Sequence, residues 1–201
     1  MKVSREQAER NRQSLIDTAS RLYRECGLDG IGVAQIAETA GLTHGGFYRH
    51  FDSKETFAAE ACERAFEKSL NMLKDIEPGD GTAFKRYIKE YLSESNRDSM
   101  ATGCPVAALA VDAARKKGPV ADAMADGIAQ YVELFAERLQ AEEGAAKKKS
   151  DYRAEGIATL AVMVGGLVLS RAAAATNPRL SRQILTSLRN RVGKQTAVDA
   201  D

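Results

Sequence analysis

The sequence predicts an all-α protein of about nine helices, and three observations carry that expectation. Apolar residues recur three and four positions apart from Leu15 to Leu188. No stretch alternates apolar and polar residues over a useful strand length. Ser, Thr, Asp, Gly and Pro fall at the ends of the periodic stretches, where helices start and stop.

Leu15, Ala19, Leu22, Tyr23 and Cys26 form the first helical face, and Gly27 is its stop. Val33, Ile36, Ala37 and Ala40 make a short second pattern that ends at Gly41. Thr43 caps a third helix holding Phe47 and Phe51. Asp52 and Ser53 cap a long fourth with Phe57, Cys62, Phe66, Leu70 and Leu73, terminated by Pro78-Gly79. Phe84, Tyr87, Ile88, Tyr91 and Leu92 mark a fifth. Pro105 sits at the first position of a sixth, which closes at Lys116-Lys117-Gly118. Pro119 opens a seventh containing Met124, Ile128, Tyr131, Val132, Phe135 and Leu139. Residues 142–150 read as a polar loop, and two helices follow, roughly Tyr152–Ala175 and Pro178–Arg191.

Of 201 residues, 44% are hydrophobic and 28% charged, a globular balance that argues against disorder. Aromatics at 6%, no Trp and 4 Pro exclude collagen-like, mucin-like and repeat-array classes. Cys26, Cys62 and Cys104 are odd in number and widely spaced, so neither a disulfide framework nor a CxxC zinc site is expected, and a reducing cytoplasm is. The opening MKVSREQAERNRQ has no apolar core, so no signal peptide is expected. The longest uncharged run, Gly156–Ser170, is 15 residues, short of the roughly 20 that a membrane helix needs. Net charge is +1, but it is +1 over residues 1–54, −6 over 55–143 and +6 over 144–201. Without a strongly basic chain, any nucleic-acid contact has to come from a local patch.

The informative segment is VAQIAETAGLTHGGFYRHFDSKETF, residues 33–57. Two short helices joined by a three-residue turn beginning at Gly41 make a helix-turn-helix. Ala37, Ala40 and Gly41 supply the small residues where the helices cross, and Ile36, Leu42, Phe47 and Phe51 the apolar anchors beneath. Gly45 and Gly46 cost about 2 kcal/mol of helix propensity against two alanines. They also strip bulk from the outer turn that enters a major groove. Thr43, His44, Tyr48, Arg49 and His50 then face outward; Arg reads guanine, while Tyr hydroxyls take phosphates. Lys54, at the start of the fourth helix, is placed for another phosphate. His44 and His50 lie six apart with no Cys nearby, so no metal site is expected. Tyr48 also admits a plain packing role. The arm Met1–Gln13 carries Lys2, Arg5, Arg10 and Arg12, and reads equally as a phosphate-reaching arm or a solvated tail.

These residues resemble the TetR-type (tetracycline-repressor-like) transcriptional regulators. The resemblance runs from Leu15-Ile16-Asp17-Thr18-Ala19 through Gly27 and Ile36-Ala37 to Ala40-Gly41-Leu42-Thr43. It ends with Gly45-Gly46-Phe47-Tyr48-Arg49-His50-Phe51-Asp52-Ser53-Lys54-Glu55, and so covers about the first quarter of the chain. It implies a homodimer of nine-helix subunits, with residues 1–53 a DNA-binding domain and 54–201 an effector-binding and dimerisation domain. It also implies that Thr43, His44, Gly45 and Arg49 approach bases, that Tyr48, His50 and Lys54 approach phosphates, and that Gly46 belongs to the same DNA-binding tip. His44 departs from the commoner Lys there. The implied function is a ligand-responsive regulator, a repressor released from a palindromic operator by a small-molecule inducer. A helical adaptor without DNA binding is the alternative. No cofactor is implied.

Thr102-Gly103-Cys104-Pro105 resembles the start of the sixth helix in a subset of that family including LmrA/YxaF-like regulators. Cys104 at the N-cap would lie at the positive end of a helix dipole, which favours thiolate, so an electrophile- or redox-sensing repressor is a further expectation. The bland reading is a small residue in a tight turn. An enzyme using Cys104 would need a His or acidic partner; both histidines belong to the N-terminal motif, so no enzyme is expected. The family's inducer pocket would draw on Phe66, Tyr87, Tyr91, Cys104, Met124, Phe135, Met163 and Leu167, with Arg171 as an anion anchor; aromatics at this spacing also read as plain core, and Arg171 as a surface or paired arginine. The other face of the eighth helix, Ile157, Ala161, Gly165, Val168 and Ala172, is expected at a dimer seam completed by Ile184, Leu185 and Leu188.

Overall fold

Among the described residues every regular element is an α-helix: α1 (Arg5–Cys26), α2 (Val33–Thr39), α3 (His44–Phe47), α4 (Lys54–Lys74), α5 (Ala83–Tyr91), α6 (Glu94–Asp98), α7 (Pro105–Ala113), α8 (Pro119–Glu143), α9 (Lys149–Ala174) and α10 (Pro178–Gln195). The structure, a computed structural model, describes residues 4–76, 82–143 and 147–195. Met1–Val3, the Pro78-Gly79 terminator and the middle of the 142–150 loop lie outside these. Ten helices replace the expected nine because Ser93 caps an extra turn, α6, accepting the Asn96 amide at 3.1 Å. The expected sixth to ninth helices are therefore α7 to α10.

Most boundaries follow local chemistry. Ser4 caps α1 by accepting from the Gln7 amide, and Arg10 pairs with Glu6 one turn back, so the expected arm is helical from Arg5. Gly27, Gly41 and Gly118 stop or turn the chain at φ 81°, 74° and 73°. Ser53 accepts from the Thr56 amide at 3.0 Å to start α4. The third helix is shorter than expected: α3 is one turn, and Phe51 lies beyond it. Two glycines weaken the helix, and it closes at Tyr48, whose amide donates to the Gly46 carbonyl.

The chain divides into two compact units, one of Met1–Lys68 with Cys104–Gly127, the other of Ser69–Gly103 with Ile128–Asp201. In the first, Leu15, Ala19, Ile36, Ala37, Phe47, Phe57 and Cys62 form the core. Phe66 fills the space over Gly127, its ring 2.4 Å from where a Cβ would stand. In the second, the core is built on Leu73, Phe84, Leu92, Tyr131, Phe135, Tyr152, Met163 and Leu167. Gly156 lets α9 approach α8, where an added Cβ would lie 3.0 Å from the Val132 carbonyl. Ser170 and Ser181, both fully buried, bond each other and each other's carbonyls across α9 and α10.

The apolar stretch of α9 is longer than the uncharged run within it. By length and composition alone α9 is apolar enough to cross a bilayer, with mean hydropathy 1.8 over its best window and 28% of that window buried. Ala172–Ala174 lengthen the 15-residue run only by counting across the charged Arg171. Its uncovered side is the feature to be explained.

Candidate nucleic-acid interface

The short α3 is held from beneath by aromatic rings. Phe47 is fully buried, stacked on Phe51 at 5.3 Å and edge-on to Phe57 at 4.9 Å; Phe51 and Phe57 lie 4.5 Å apart. Tyr23 of α1 closes the cluster against Phe57. Arg12 lies over the Phe51 ring at 4.8 Å and donates to both Glu60 oxygens, tying α1 to α4 under the motif. The turn is set by the Leu42 amide donating to the Ala37 carbonyl at 2.8 Å. These contacts fix the base of the motif and leave its outer side open.

That outer side carries the expected residues together. Thr43 caps α3 by accepting from the Gly46 amide at 3.2 Å, and it is exposed, as are His44, Gly45, Tyr48, Arg49 and Lys54. Gly46 and His50 are half-buried. The Tyr48 ring stands edge-on to His44 and to Phe47, so it keeps a packing contact while 54% exposed. A Cβ on Gly45 would meet nothing within 4 Å, and one on Gly46 would meet only Thr43 Oγ1 at an ordinary 3.4 Å. Neither has a positive φ. The protein's own packing therefore gives no reason for glycine here, although glycine weakens the helix. A flat, donor-rich helix tip of this kind is shaped for close approach by something outside the chain.

Comparison with known proteins agrees. The family described as bacterial regulatory proteins, tetR family, matches residues 15–61, and that of the LmrA/YxaF-like transcriptional regulator C-terminal domain matches 81–181, half of the chain. The chain belongs to the tetR family of transcriptional regulators. These regulators bind DNA and are not enzymes. Among relatives, HTH-type transcriptional regulator LmrA of Bacillus subtilis is 27% identical over 178 residues, covering 85% of this chain and 91% of LmrA. HTH-type transcriptional repressor NemR of Escherichia coli K12 is 26% identical over 135 residues, covering 64% and 67%. A TetR regulator from Chloroflexus aurantiacus shares the fold with TM-score 0.78 over 95% of this chain and 96% of that one, at 19% identity. The reduced form of E. coli NemR does so with TM-score 0.74 over 90% and 96%, at 18% identity.

The remaining expected residues of this regulator fall as follows. Phe66, Cys104 and Met124 belong to the first unit, and Tyr87, Tyr91, Phe135, Met163, Leu167 and Arg171 to the second. Phe66 is spent on packing against Gly127, so it is core rather than a pocket wall. Tyr87 lies 6.2 Å from both Tyr91 and Phe135, and Phe84 joins them at 6.1 Å and 5.2 Å. Arg171 is engaged structurally: its Nε donates to the Arg97 carbonyl at 2.9 Å and Nη2 to the Asn96 carbonyl at 3.1 Å, closing α6. Cys104 is the N-cap of α7 as expected, with no side-chain capping bond, and is 4% exposed.

A cleft of about 260 Å³ does exist in the first unit, lined by Tyr23, Leu28, Ile31, Val33 and Val120 with Asp29, Lys54, Glu55 and Lys116 among its charged groups. Of the expected site residues it contains Lys54 alone. On α9, Ile157, Ala161, Val168 and Ala172 are exposed and Gly165 faces open space. Leu185 is the exception: it is 1% exposed within its own chain, so its side chain is not open to a second copy. Ile184 and Leu188 are half-buried, and Leu188 lies against Gly166. Leu169 and Leu180 are exposed as well, and both keep the helical spacing of the expected stripes: Leu169 lies four residues after Gly165 and Leu180 four before Ile184. Among the described residues no group of acidic, His and Cys side chains could hold a metal ion.

Proposed function

We propose that this regulator is a ligand-responsive repressor that binds a palindromic operator as a cytoplasmic homodimer and is released by a small-molecule inducer. Residues 1–53 are the DNA-reading domain, with Thr43, His44, Gly45 and Arg49 at base edges, Gly46 beside them at the tip, and Tyr48, His50 and the adjoining Lys54 on phosphates. Residues 54–201 sense and dimerise. The observation that carries the reading is the open space over Gly45 on an exposed helix tip that its own packing leaves free. The uncovered apolar side of α9 supports a second copy as its cover, through Ile157, Ala161, Gly165, Val168 and Ala172 with Ile184 and Leu188 of α10. A dimer sets the separation of two recognition helices at about 34–36 Å, one duplex turn.

An inducer bound against the Tyr87, Tyr91 and Phe135 rings, with Met163 and Leu167 nearby in sequence on α9, would favour an arrangement that no longer fits adjacent grooves. A hundredfold loss of operator affinity needs only about 2.7 kcal/mol of differential binding. The relative NemR is a repressor, which supports the sign of regulation. The thiol-sensing reading rests on Cys104 at the α7 N-cap and on the likeness to NemR; burial of that sulfur sets it second.

The test is selection of bound duplexes from a random pool, followed by Gly45→Leu. The selected site should be a two-fold repeat. The variant should fold normally, since nothing in the chain occupies that space, and lose operator affinity at least tenfold. Unchanged capture by Gly45→Leu would overturn the reading.

A further inference from the structure

The turn between α1 and α2, residues 27–32, has little to hold it from within. Its closing residue Gly32 is the N-cap of α2 and offers no side-chain oxygen; only the Gln35 side chain reaches back, accepting from the Gly32 amide at 3.3 Å. The hold comes from the α7–α8 segment, more than eighty residues along the chain and in the same compact unit. Asp112 Oδ2 accepts from the Leu28 amide at 3.0 Å. Lys116 Nζ donates to both oxygens of Asp29, at 2.6 and 2.8 Å.

Gly27 is shaped for this contact twice over. Its backbone, φ 81° and ψ 164°, lies in a region essentially reserved for glycine. A Cβ there would also stand 2.9 Å from Asp112 Oδ2. The Lys116–Asp29 pair is open to water, with side chains 36% and 79% exposed, and pairs of that kind add little to stability. Its effect is geometric. Beyond the turn, α2 packs on α3 through the Ala37–Leu42 backbone bond, so a shift at Gly32 is carried to the Thr43–Arg49 tip.

We propose that Asp112 and Lys116 are positioning residues for operator reading: clasping residues 27–29, they set where α2 begins and hence where the recognition tip points. This rests on the tip reading the operator as described above. It separates from a structural role because misaiming a tip harms base readout, while attraction to phosphates is independent of sequence.

The experiment measures affinity for the selected operator and for a scrambled duplex across salt concentrations, together with thermal unfolding. It uses Asp112→Ala, Asp112→Asn, Lys116→Ala, and the exchange Asp29→Lys with Lys116→Asp. Asp112→Ala and Lys116→Ala should lower operator affinity about tenfold, with scrambled-duplex affinity and the salt slope unchanged. Asp112→Asn, which retains an acceptor, and the charge exchange should recover most of the loss. A salt slope reduced by about one in Lys116→Ala would make it a direct phosphate contact and overturn the proposal. So would equal losses on both duplexes or no loss at all. If Asp112→Ala unfolds, Lys116→Ala and the exchange decide. A wild-type chain that holds both duplexes equally would instead sink the operator reading itself.

Discussion

Cys62 shows how burial sets chemistry at a single atom. Burial pushes the Cys62 thiol up to about 12, with Glu63 adding to the shift and Arg24 opposing it. Only Cys26 among the three cysteines is exposed. One thiol should therefore react quickly with a disulfide reagent in the native protein and all three in denaturant, with Cys26→Ser removing the fast phase. Cys104 reacting as fast as Cys26 would restore the thiol-sensing reading. Asp17 supplies a pH signature. Burial raises its carboxyl, but hydrogen bonds from Lys68 and Arg64 outweigh that and hold it below the ordinary 3.8. In acid the unfolded chain binds this proton first, so the contribution is complete above the ordinary value and fades as pH falls through the lowered one. The difference in Tm between wild type and Asp17→Asn should shrink as pH drops below about 4. A constant difference would contradict the pairing.

At the scale of the element, α3 combines a rigid base with a bare tip. Phe47 is fully buried among Tyr48, Phe51 and Phe57, so Phe47→Ala should cost about 3–5 kcal/mol in denaturant unfolding. Phe47→Leu should lose less. The tip answers to different rules: Gly45→Ala meets no atom and should raise helix stability by about 1 kcal/mol while leaving the base unchanged. The motif was legible in sequence because small, apolar and capping residues must recur at fixed spacing where two helices cross, as at Ala37, Gly41 and Thr43. The brevity of α3 was not, since Phe51 continues the apolar period after the helix has ended. Nor was the helical start at Arg5, set by the Ser4 cap and the Glu6–Arg10 pair rather than by hydrophobic spacing.

For the molecule as a whole, the deciding feature is the uncovered side of α9. Ile157 and Leu169 are 49% and 57% exposed on a helix apolar enough for a bilayer. Under the proposed reading, a second copy would cover such a surface without adding a partner class. Ile157→Asp with Leu169→Asp should keep the helical content, sediment as a monomer and weaken operator binding more than tenfold. A variant that stays dimeric would move the seam elsewhere.

The amino-acid order alone determined the all-helical class, the helix-turn-helix and the group of outward-facing residues from Thr43 to Lys54. Those depend on periodicity and caps, which act within a few residues of one another. Three-dimensional packing decided the rest. It put Phe66 over Gly127, sank Leu185 into the interior, turned Arg171 onto the end of α6, and brought Asp112 and Lys116 to the turn at Gly27. Each of those depends on which face meets which neighbour across long stretches of chain, and no local spacing encodes that.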